Sequence, residues 1–226
     1  MESNDLKRIC AKEAMKYIKD GMIIGLGGGR SISYLIDYIK EDNKIKVKIV
    51  TPSAKTKFLC IENGLEVLHT CSVDKVAVAF DGCDQVDENF NALKSGGGIH
   101  TKEKLIASMS EDYILLVDEE KLEKELTFKA PVVIEILEDS LKYVERKVIE
   151  LGGNPSIRTS EIKDGFTISD NGNLLMNVAF SDVQNIEELN NKLKNICGVV
   201  ETSLFTTVIT KIIVASESGL KTISRI

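Results

Sequence analysis

The chain has 226 residues, which is enough for one domain or two small ones with a substantial buried core. Its content of 43% hydrophobic and 28% charged residues is ordinary for a globular protein. The formal net charge of −6 argues against a nucleic-acid-binding surface, which needs concentrated Lys and Arg.

The first half of the chain alternates predicted helices with predicted strands. Apolar residues at helical spacing predict helices over 5–20, 31–40, 54–63 and 101–110. Short apolar runs predict strands over 22–25, 47–50, 75–80 and 113–117. This alternation indicates an α/β fold with a mostly parallel, Rossmann-like sheet and helices on both of its faces.

The pattern changes after residue 128. We expect a strand over 132–137, a helix over 140–151, a break at 152–155, a hairpin of strands 167–168 and 174–178, a helix over 186–195 and a strand over 199–202. This order indicates a smaller α+β lobe with an antiparallel sheet, after which 209–215 and 221–226 rejoin the first lobe. The predicted domains are residues 1–128 with 207–226, a catalytic α/β domain, and residues 129–206, a small α+β domain.

The cysteines and the N-terminus indicate a cytoplasmic protein. The five cysteines are scattered and form no C-x-x-C pair, which is typical of reduced thiols and not of a disulfide framework or a zinc site. The first 19 residues carry charges throughout and lack the apolar core of a signal peptide. No apolar run is long enough to span a bilayer.

The segment after the predicted strand at 75–80 concentrates groups that could carry out chemistry: Asp81, Asp84, Lys94, the turn 95–98 and Glu103. Polar groups at the carboxyl end of a buried strand lie where open α/β sheets bind ligands. Glycine N–H groups and a lysine suit an anion, and carboxylates can transfer protons. The segment therefore predicts proton transfer on a small, anionic, polyhydroxylated substrate. The plainer alternatives are aspartates that close turns, a solvated lysine and an exposed first-turn glutamate.

A second glycine-rich loop, at residues 25–31, follows a predicted strand and opens a helix. Such a loop can bind phosphate or hydroxyl oxygens through its N–H groups, although it could also be a turn that merely needs positive φ. It does not match the dinucleotide motif G-x-G-x-x-G, because Arg30 stands in place of the third glycine. With His69 and His100 as the only histidines, we expect no metal site and no cofactor.

Taken together, these motifs resemble those of type A ribose-5-phosphate isomerases, over essentially the whole chain. The matching segments are 25–31, Thr51-Pro52-Ser53 with Thr56, Asp81-Gly82-x-Asp84, 94–98 with Glu103-Lys104, Asp118 with Lys121, 151–153, 170–173, 198–200 and 218–221. The resemblance implies a metal-independent aldose–ketose isomerase of the pentose phosphate pathway. It would interconvert ribose 5-phosphate and ribulose 5-phosphate through an enediol(ate), as a homodimer or homotetramer.

The resemblance also implies roles for individual residues. Glu103 matches the base that moves a proton between C1 and C2. Asp81, Asp84 and Lys94 match residues that handle ring opening, hydroxyl contacts and the developing oxyanion. The positions expected to bind substrate are Lys7, Gly27, Gly28, Gly29, Arg30, Ser31, Asp81, Gly82, Cys83, Asp84, Lys94, Ser95, Gly96, Gly97 and Lys121.

The chain departs from the family pattern at Gly28 and Arg30, where the family has Thr and Ser, and at Gln85 and Ser95, where it has an acid and Gly. Arg30 could pair with a phosphate in a bidentate fork, point to solvent, pair with a surface carboxylate, or block the pocket. Two other functions fit the scaffold: a sugar-phosphate effector domain, and another transformation such as an amino-sugar deaminase, a different isomerase or a CoA transferase. The presence of Glu103 beside the aspartates and Lys94 favours the isomerase.

Overall fold

The computed structural model describes residues 3–160, 162 and 164–225. The chain forms two compact units, the first from residues 1–83, 102–122 and 207–226, and the second from residues 84–101 and 123–206. These units differ from the predicted domains in placing 84–101 and 123–128 with the second unit, and the domain boundaries stay a prediction. Residues 1, 2 and 226, which we assigned to the first domain, lie outside the described residues.

The first unit is built on a seven-stranded sheet, in the order β15-β14-β7-β4-β1-β2-β3. Its strands are β1 (Ile23–Leu26), β2 (Lys48–Val50), β3 (Glu66–Val67), β4 (Val76–Asp81), β7 (Ser110–Asp118), β14 (Lys211–Ser216) and β15 (Gly219–Ser224). All neighbouring strands are parallel except the pair β14 and β15, which is antiparallel. The predicted mostly parallel sheet is confirmed.

The helices of this unit are α1 (Ser3–Ala14), α2 (Arg30–Glu41), α3 (Ala54–Glu62) and α4 (His100–Met109), whose residues from Lys102 onwards belong to it. The apolar sides of α1 and α2 form a core with Ile24 and Leu26 of β1. Gly25 faces the opposite side of the sheet, where a Cβ would lie 2.7 Å from Ile106 of α4. Because successive side chains of a strand alternate between faces, helices cover both faces of the sheet, as predicted.

The strand order reverses between β1 and β4. The chain passes from β1 through α2 to β2 on one side, whereas β4 is followed in the sheet by β7 on the other side. Open α/β sheets bind ligands at the carboxyl ends of the strands that flank such a reversal. The glycine loop after β1 and Asp81 at the end of β4 lie at this point.

The second unit contains a four-stranded antiparallel sheet in the order β10-β11-β9-β12. Its elements are β9 (Val132–Ile136), α5 (Leu141–Glu150), β10 (Asn154–Ile157), β11 (Leu174–Ala179), α6 (Ile186–Lys194) and β12 (Val199–Thr202). Val144 and Val148 of α5 and Leu189 and Leu193 of α6 pack on one face of this sheet. The predicted antiparallel α+β lobe is confirmed.

The hairpin prediction was wrong in one strand. Residues 167–168 form no strand, and only an isolated bridge joins Ile168 to Leu174. On the side away from β9, β11 pairs with β10, whose first two residues lie in the stretch that we predicted to be a break. Pro155 is tolerated there because β10 is an edge strand, in which a missing N–H costs no hydrogen bond to a further strand.

A second four-stranded sheet, in the order β13-β6-β5-β8, consists of strands too short to give a periodic signal. They are β5 (Gln85–Asp87), β6 (Ala92–Leu93), β8 (Leu122–Glu123) and β13 (Leu204–Phe205). The sequence analysis did not predict it. Among the described residues, no helix is long and apolar enough to cross a membrane. The five cysteines are free.

The buried carboxylate of Glu135 forms hydrogen bonds on the face of the sheet β10-β11-β9-β12 that is opposite to α5 and α6. Glu135 of β9 is 1% exposed and accepts hydrogen bonds from the Ser169 hydroxyl at 2.7 Å, from the Asn171 and Asn173 amides at 3.0 and 2.8 Å, and from the Thr101 hydroxyl. Burial by itself would raise the pKa of Glu135, but these donors outweigh it and lower the pKa. Because the pKa of Glu135 is lower in the folded chain than in the unfolded chain, the ionised carboxylate stabilises the unit at pH values above the ordinary pKa of 4.5. This stabilisation is lost as the pH falls through the folded-state pKa.

Candidate active site

Asp81 connects three elements of the first unit. It is the last residue of β4 and is 3% exposed. Its Oδ1 accepts hydrogen bonds from the N–H groups of Gly82 at 2.8 Å and Gly28 at 3.3 Å, and its Oδ2 accepts one from the Tyr113 hydroxyl at 3.0 Å. A carboxylate with several fixed donors is held in one orientation, so Asp81 is preorganised at the carboxyl ends of β1 and β4, beside the middle of β7.

The glycine loop after β1 passes very close to Asp81. A Cβ added at Gly27 would lie 2.0 Å from Asp81 Cγ, so only glycine fits there. The loop is held by a hydrogen bond from Gly27 N–H to the Phe80 carbonyl at 2.9 Å and by one from the Thr56 hydroxyl to the Gly27 carbonyl at 2.7 Å. A Cβ at Gly28 would meet nothing closer than 3.9 Å. The close approach of the backbone to Asp81 therefore requires a glycine at position 27 but not at position 28.

Glu103 lies in the first turn of α4 and is 7% exposed. The charge of this carboxylate acts on Tyr113. Burial raises the pKa of the Tyr113 phenol well above its usual value, and the charges of Asp81 and Glu103 raise it further. Tyr113 is therefore a neutral hydrogen-bond donor beside two carboxylates. Tyr113 was predicted only as part of an apolar strand. The one sequence signal for its contact with Asp81 is the polar tip of a buried aromatic residue.

Lys121 and Lys7 are held by groups of the same unit. Lys121 Nζ donates to the Cys83 carbonyl at 2.9 Å, and so fixes the backbone two residues after Asp81. Lys7 Nζ donates to the Ser3 hydroxyl at 2.5 Å and lies 3.6 Å from an oxygen of Asp118.

Arg30 and Ser31 form the first turn of α2, directly after Gly29, whose φ is +95°. The Arg30 guanidinium is exposed and donates from Nη1 to the Asn4 side-chain oxygen at 2.7 Å. Ser31 is partly buried. The N-terminus of α2 and the guanidinium of Arg30 give this part of the first unit a positive character. Lys7, on α1 together with Asn4, adds an ammonium group that is partly balanced by Asp118.

In the second unit, Asp84 organises the loop that follows Lys94. Its Oδ2 accepts the N–H groups of Ser95 at 2.6 Å and Gly96 at 2.9 Å. These two N–H groups are therefore engaged within the protein, and of the loop positions expected to bind substrate, Gly97 is the one whose N–H has no such bond among the described residues. Asp84 as a whole is exposed.

Lys94 is 6% exposed, and its N–H donates to the Ser203 carbonyl at 3.0 Å. Its ammonium lies 5.8 Å from the centre of the Phe205 ring, which attracts a cation to its face. Ser95, which replaces a glycine of the family pattern, is buried and donates through its hydroxyl to the Pro131 carbonyl at 2.5 Å. The substitution therefore adds a bond that anchors the loop.

The other departure of this unit is also accommodated. Gln85 is 4% exposed, and its Nε2 donates to Glu123 Oε1 and Thr127 Oγ1, both at 2.8 Å. Hydrogen bonds from Lys129, Thr127 and Gln85 lower the pKa of Glu123. Since an acid at position 85 would face this carboxylate, the amide removes a repulsion.

Sequence analysis also missed Arg158, which contacts the same loop. Its guanidinium donates to the carbonyls of Ser95 at 2.8 Å and Gly96 at 3.3 Å, and to the side-chain oxygen of Asn177. An arginine 62 residues beyond the loop gives no local signal of this contact. In the part of the chain that the structure describes, no group of three or more His, Cys, Asp or Glu residues could hold a metal ion.

The chain matches the protein family described as ribose 5-phosphate isomerase A (phosphoriboisomerase A) over residues 48–219. It is 36% identical to ribose-5-phosphate isomerase A of Pyrococcus abyssi and 37% identical to that of Methanocaldococcus jannaschii, in each case over all of both chains. The solved structure of the Methanocaldococcus jannaschii protein covers 99% of this chain and 100% of its own, with a TM-score of 0.92 and 34% identity. A D-ribose-5-phosphate isomerase solved in complex with phospho-erythronic acid covers all of both chains, with a TM-score of 0.94 and 33% identity.

The fold, the carboxylates at the strand ends and these full-length matches define an isomerase of sugar phosphates. The chain belongs to the ribose 5-phosphate isomerase A family, as its motifs predicted, and its activity is that of a ribose-5-phosphate isomerase. The individual site residues stay predictions, and their roles are proposed below.

Proposed function

We propose that this protein interconverts ribose 5-phosphate and ribulose 5-phosphate through an enediol(ate), with Glu103 as the base that moves a proton between C1 and C2. The observation that carries this assignment is the buried Glu103 carboxylate near Tyr113, whose pKa is raised by the charges of both Asp81 and Glu103. A base that exchanges a carbon-bound proton must be kept from bulk water, which would otherwise solvate it. The 7% exposure of Glu103 meets this requirement.

The enediolate needs preorganised positive charge and hydrogen-bond donors, because a C–H bond next to a carbonyl is only weakly acidic. Lys94 supplies a full positive charge from a buried position, held over Phe205. Gly97 supplies a backbone N–H. Stabilisation of the developing oxyanion by these two groups lowers the barrier to proton removal by Glu103.

Ring opening requires a proton to leave one sugar oxygen and to reach another. Asp81, whose orientation is fixed by Tyr113 and the glycine loop, is suited to accept the proton of the anomeric hydroxyl. Asp84, whose Oδ2 is occupied by the loop, has Oδ1 to accept a bond from a substrate hydroxyl. In this scheme Asp81 transfers a proton, and Asp84 orients the sugar.

The phosphate group is assigned to the positive region at the start of α2. The neighbouring structure with phospho-erythronic acid, a phosphorylated sugar acid, supports an anionic ligand for this scaffold. The N–H groups of the first turn of α2 point toward such an anion, and Lys7 and Arg30 add charge. Asn4 accepts one hydrogen bond from Nη1 of Arg30. In this proposal, the other N–H groups of the guanidinium bind the phosphate.

For Arg30→Ser, which restores the family residue, we expect the KM for ribose 5-phosphate to rise about tenfold, since about 1.4 kcal/mol corresponds to one decade. A charge-assisted hydrogen bond of about 1.5–3 kcal/mol would be lost. Steady-state kinetics measure this effect, with Arg8→Ser as the matched control, because the Arg8 guanidinium lies 4.2 Å from the Tyr34 ring centre. An unchanged KM would show that Arg30 only pairs with Asn4, and a lowered KM would show that it obstructs the pocket.

The reaction itself is tested by the conversion of ribose 5-phosphate in the presence of EDTA. We expect full activity, because Lys94 and backbone donors stabilise the oxyanion without a cation. Loss of activity that returns on addition of a divalent ion would contradict the scheme. No conversion by the untreated protein would contradict the proposed reaction altogether. The homodimeric or homotetrameric state and the cytoplasmic location stay predictions.

A further inference from the structure

The loop after Lys94 is clamped from two directions. On one side, Asp84 accepts the N–H groups of Ser95 and Gly96; on the other side, Arg158 donates to the carbonyls of the same two residues. The peptide group between Ser95 and Gly96 is therefore held at both ends, by Arg158 at its carbonyl and by Asp84 at its N–H. The negative charge of Asp84 and the positive charge of Arg158 together fix the plane of this peptide.

The guanidinium is itself fixed before it reaches the loop. Nε and Nη2 of Arg158 donate to the Asn177 side-chain oxygen at 3.0 and 2.8 Å, and Asn177 lies on β11. The loop also lies directly on this strand, since a Cβ at Gly98 would be 2.7 Å from Leu175. Burial lowers the pKa of Arg158, and the charge of Asp84 opposes this effect, so the guanidinium keeps its charge.

The bond from Arg158 to the Gly96 carbonyl has a consequence for the next N–H group. The described peptide bonds are trans, and in a trans peptide the C=O and N–H groups point in opposite directions. When the Gly96 carbonyl points to Arg158, the N–H of Gly97 must point away from it. Gly97 N–H forms no hydrogen bond within the described residues. It is thus an oriented donor with no acceptor in the part of the chain that the structure describes.

We propose that Arg158 is a positioning residue for the isomerase reaction: it fixes the two peptide planes after Lys94, and so directs the N–H of Gly97 to the oxygen that becomes negative in the enediolate. This inference rests on the proposed function, because the acceptor of the Gly97 N–H is the enediolate oxygen. In this scheme Arg158 acts through the loop and not through contact with the substrate. Its effect is on the transition state, in which the oxygen carries charge, more than on binding of the ground state.

The test compares Arg158→Ala and Arg158→Lys with the wild type and with the control Arg146→Ala. Arg146 is an exposed arginine of the same unit whose partner is Glu150, on its own helix. Because removal of one oxyanion donor costs about 10²–10³-fold in kcat, a donor that is misdirected and not removed should cost about 10- to 100-fold. We expect this loss in both Arg158 variants, with a KM change below about threefold and an unchanged Arg146→Ala enzyme.

Two further measurements separate positioning from folding. Added guanidinium ion at a non-denaturing concentration should restore part of the kcat of Arg158→Ala, whereas sodium chloride of equal ionic strength should not. Hydrogen exchange of the peptide that contains residues 95–97 should be faster in Arg158→Lys, while the Tm stays close to that of the wild type. Lysine keeps the charge but cannot bond two carbonyls and Asn177 at once, so this variant remains informative if Arg158→Ala does not fold.

A kcat within twofold of the wild type in Arg158→Lys, or equal rescue by sodium chloride and guanidinium, would overturn the inference. Unchanged hydrogen exchange at 95–97 would also overturn it, and this measurement does not depend on turnover. If the wild type failed to convert ribose 5-phosphate while exchange at 95–97 still responded to Arg158, the proposed function would fail and the loop clamp would stand.

Discussion

Replacement of Glu103 by Gln should remove nearly all turnover of ribose 5-phosphate while the protein still binds its substrate. A general base contributes about 10²–10⁴-fold, and an obligatory proton carrier should reach the upper part of this range. Gln preserves the volume of the side chain in a position that is 7% exposed, so the fold should be little affected. The measurement is kcat, together with the dissociation constant of a phosphorylated sugar acid as a competitive ligand.

A suitable control is Glu111→Gln, because Glu111 is an exposed acid on β7 of the same unit. We expect no change of kcat in this control. Retention of more than a tenth of the wild-type kcat in Glu103→Gln would remove Glu103 from the role of base, whatever the effect on KM. Exchange of solvent deuterium into the product provides a second readout, since the proton moved between C1 and C2 passes through the base.

Replacement of Gly27 by Ala should damage both stability and activity. The added methyl group would lie 2.0–2.4 Å from three atoms of the Asp81 carboxylate, so either the loop or Asp81 must move. Overpacking of this kind costs about 1–3 kcal/mol, which corresponds to a fall in Tm of roughly 2–4 °C per kcal/mol in a chain of this size. Because Asp81 would lose its bond from Gly28 or from Tyr113, we also expect kcat to fall at least about tenfold.

The neighbouring variant Gly28→Ala is the matched control for stability. Its Cβ would meet only Ser53, at 3.9 Å, so its Tm should match that of the wild type. Thermal unfolding followed by circular dichroism measures both variants. If Gly27→Ala were as stable and as active as the wild type, the close approach of the loop to Asp81 would not be a property of the protein in solution.

Much of the fold follows from local patterns in the sequence. The helices α2, α3, α5 and α6 were predicted to within a few residues, because each combines apolar residues at helical spacing with polar residues between them. The main strands of the parallel sheet were found as short apolar runs. The strands of the sheet β13-β6-β5-β8 were missed because two or three residues carry no periodicity.

The candidate site was predicted in the same uneven way. Asp81, Asp84, Lys94 and Glu103 were proposed because unusual residue types follow a buried strand within a short stretch, and the resemblance to a family then suggested a role for each; these roles stay predictions. Tyr113, Arg158 and Asn177 were not singled out. Tyr113 and Asn177 lie within strands and Arg158 directly follows one, and no motif surrounds any of them.

The sequence by itself determined the class of the fold, the family and the residue types available for proton transfer, because these depend on local spacing and on motifs. The tertiary structure decided which groups hold the candidate catalytic residues. Tyr113 bonds Asp81 across 32 residues of chain, and Arg158 reaches Ser95 across 63. Such partners depend on which strands become neighbours and in what register. These are properties of the assembled sheets, and no local pattern of a single sequence records them.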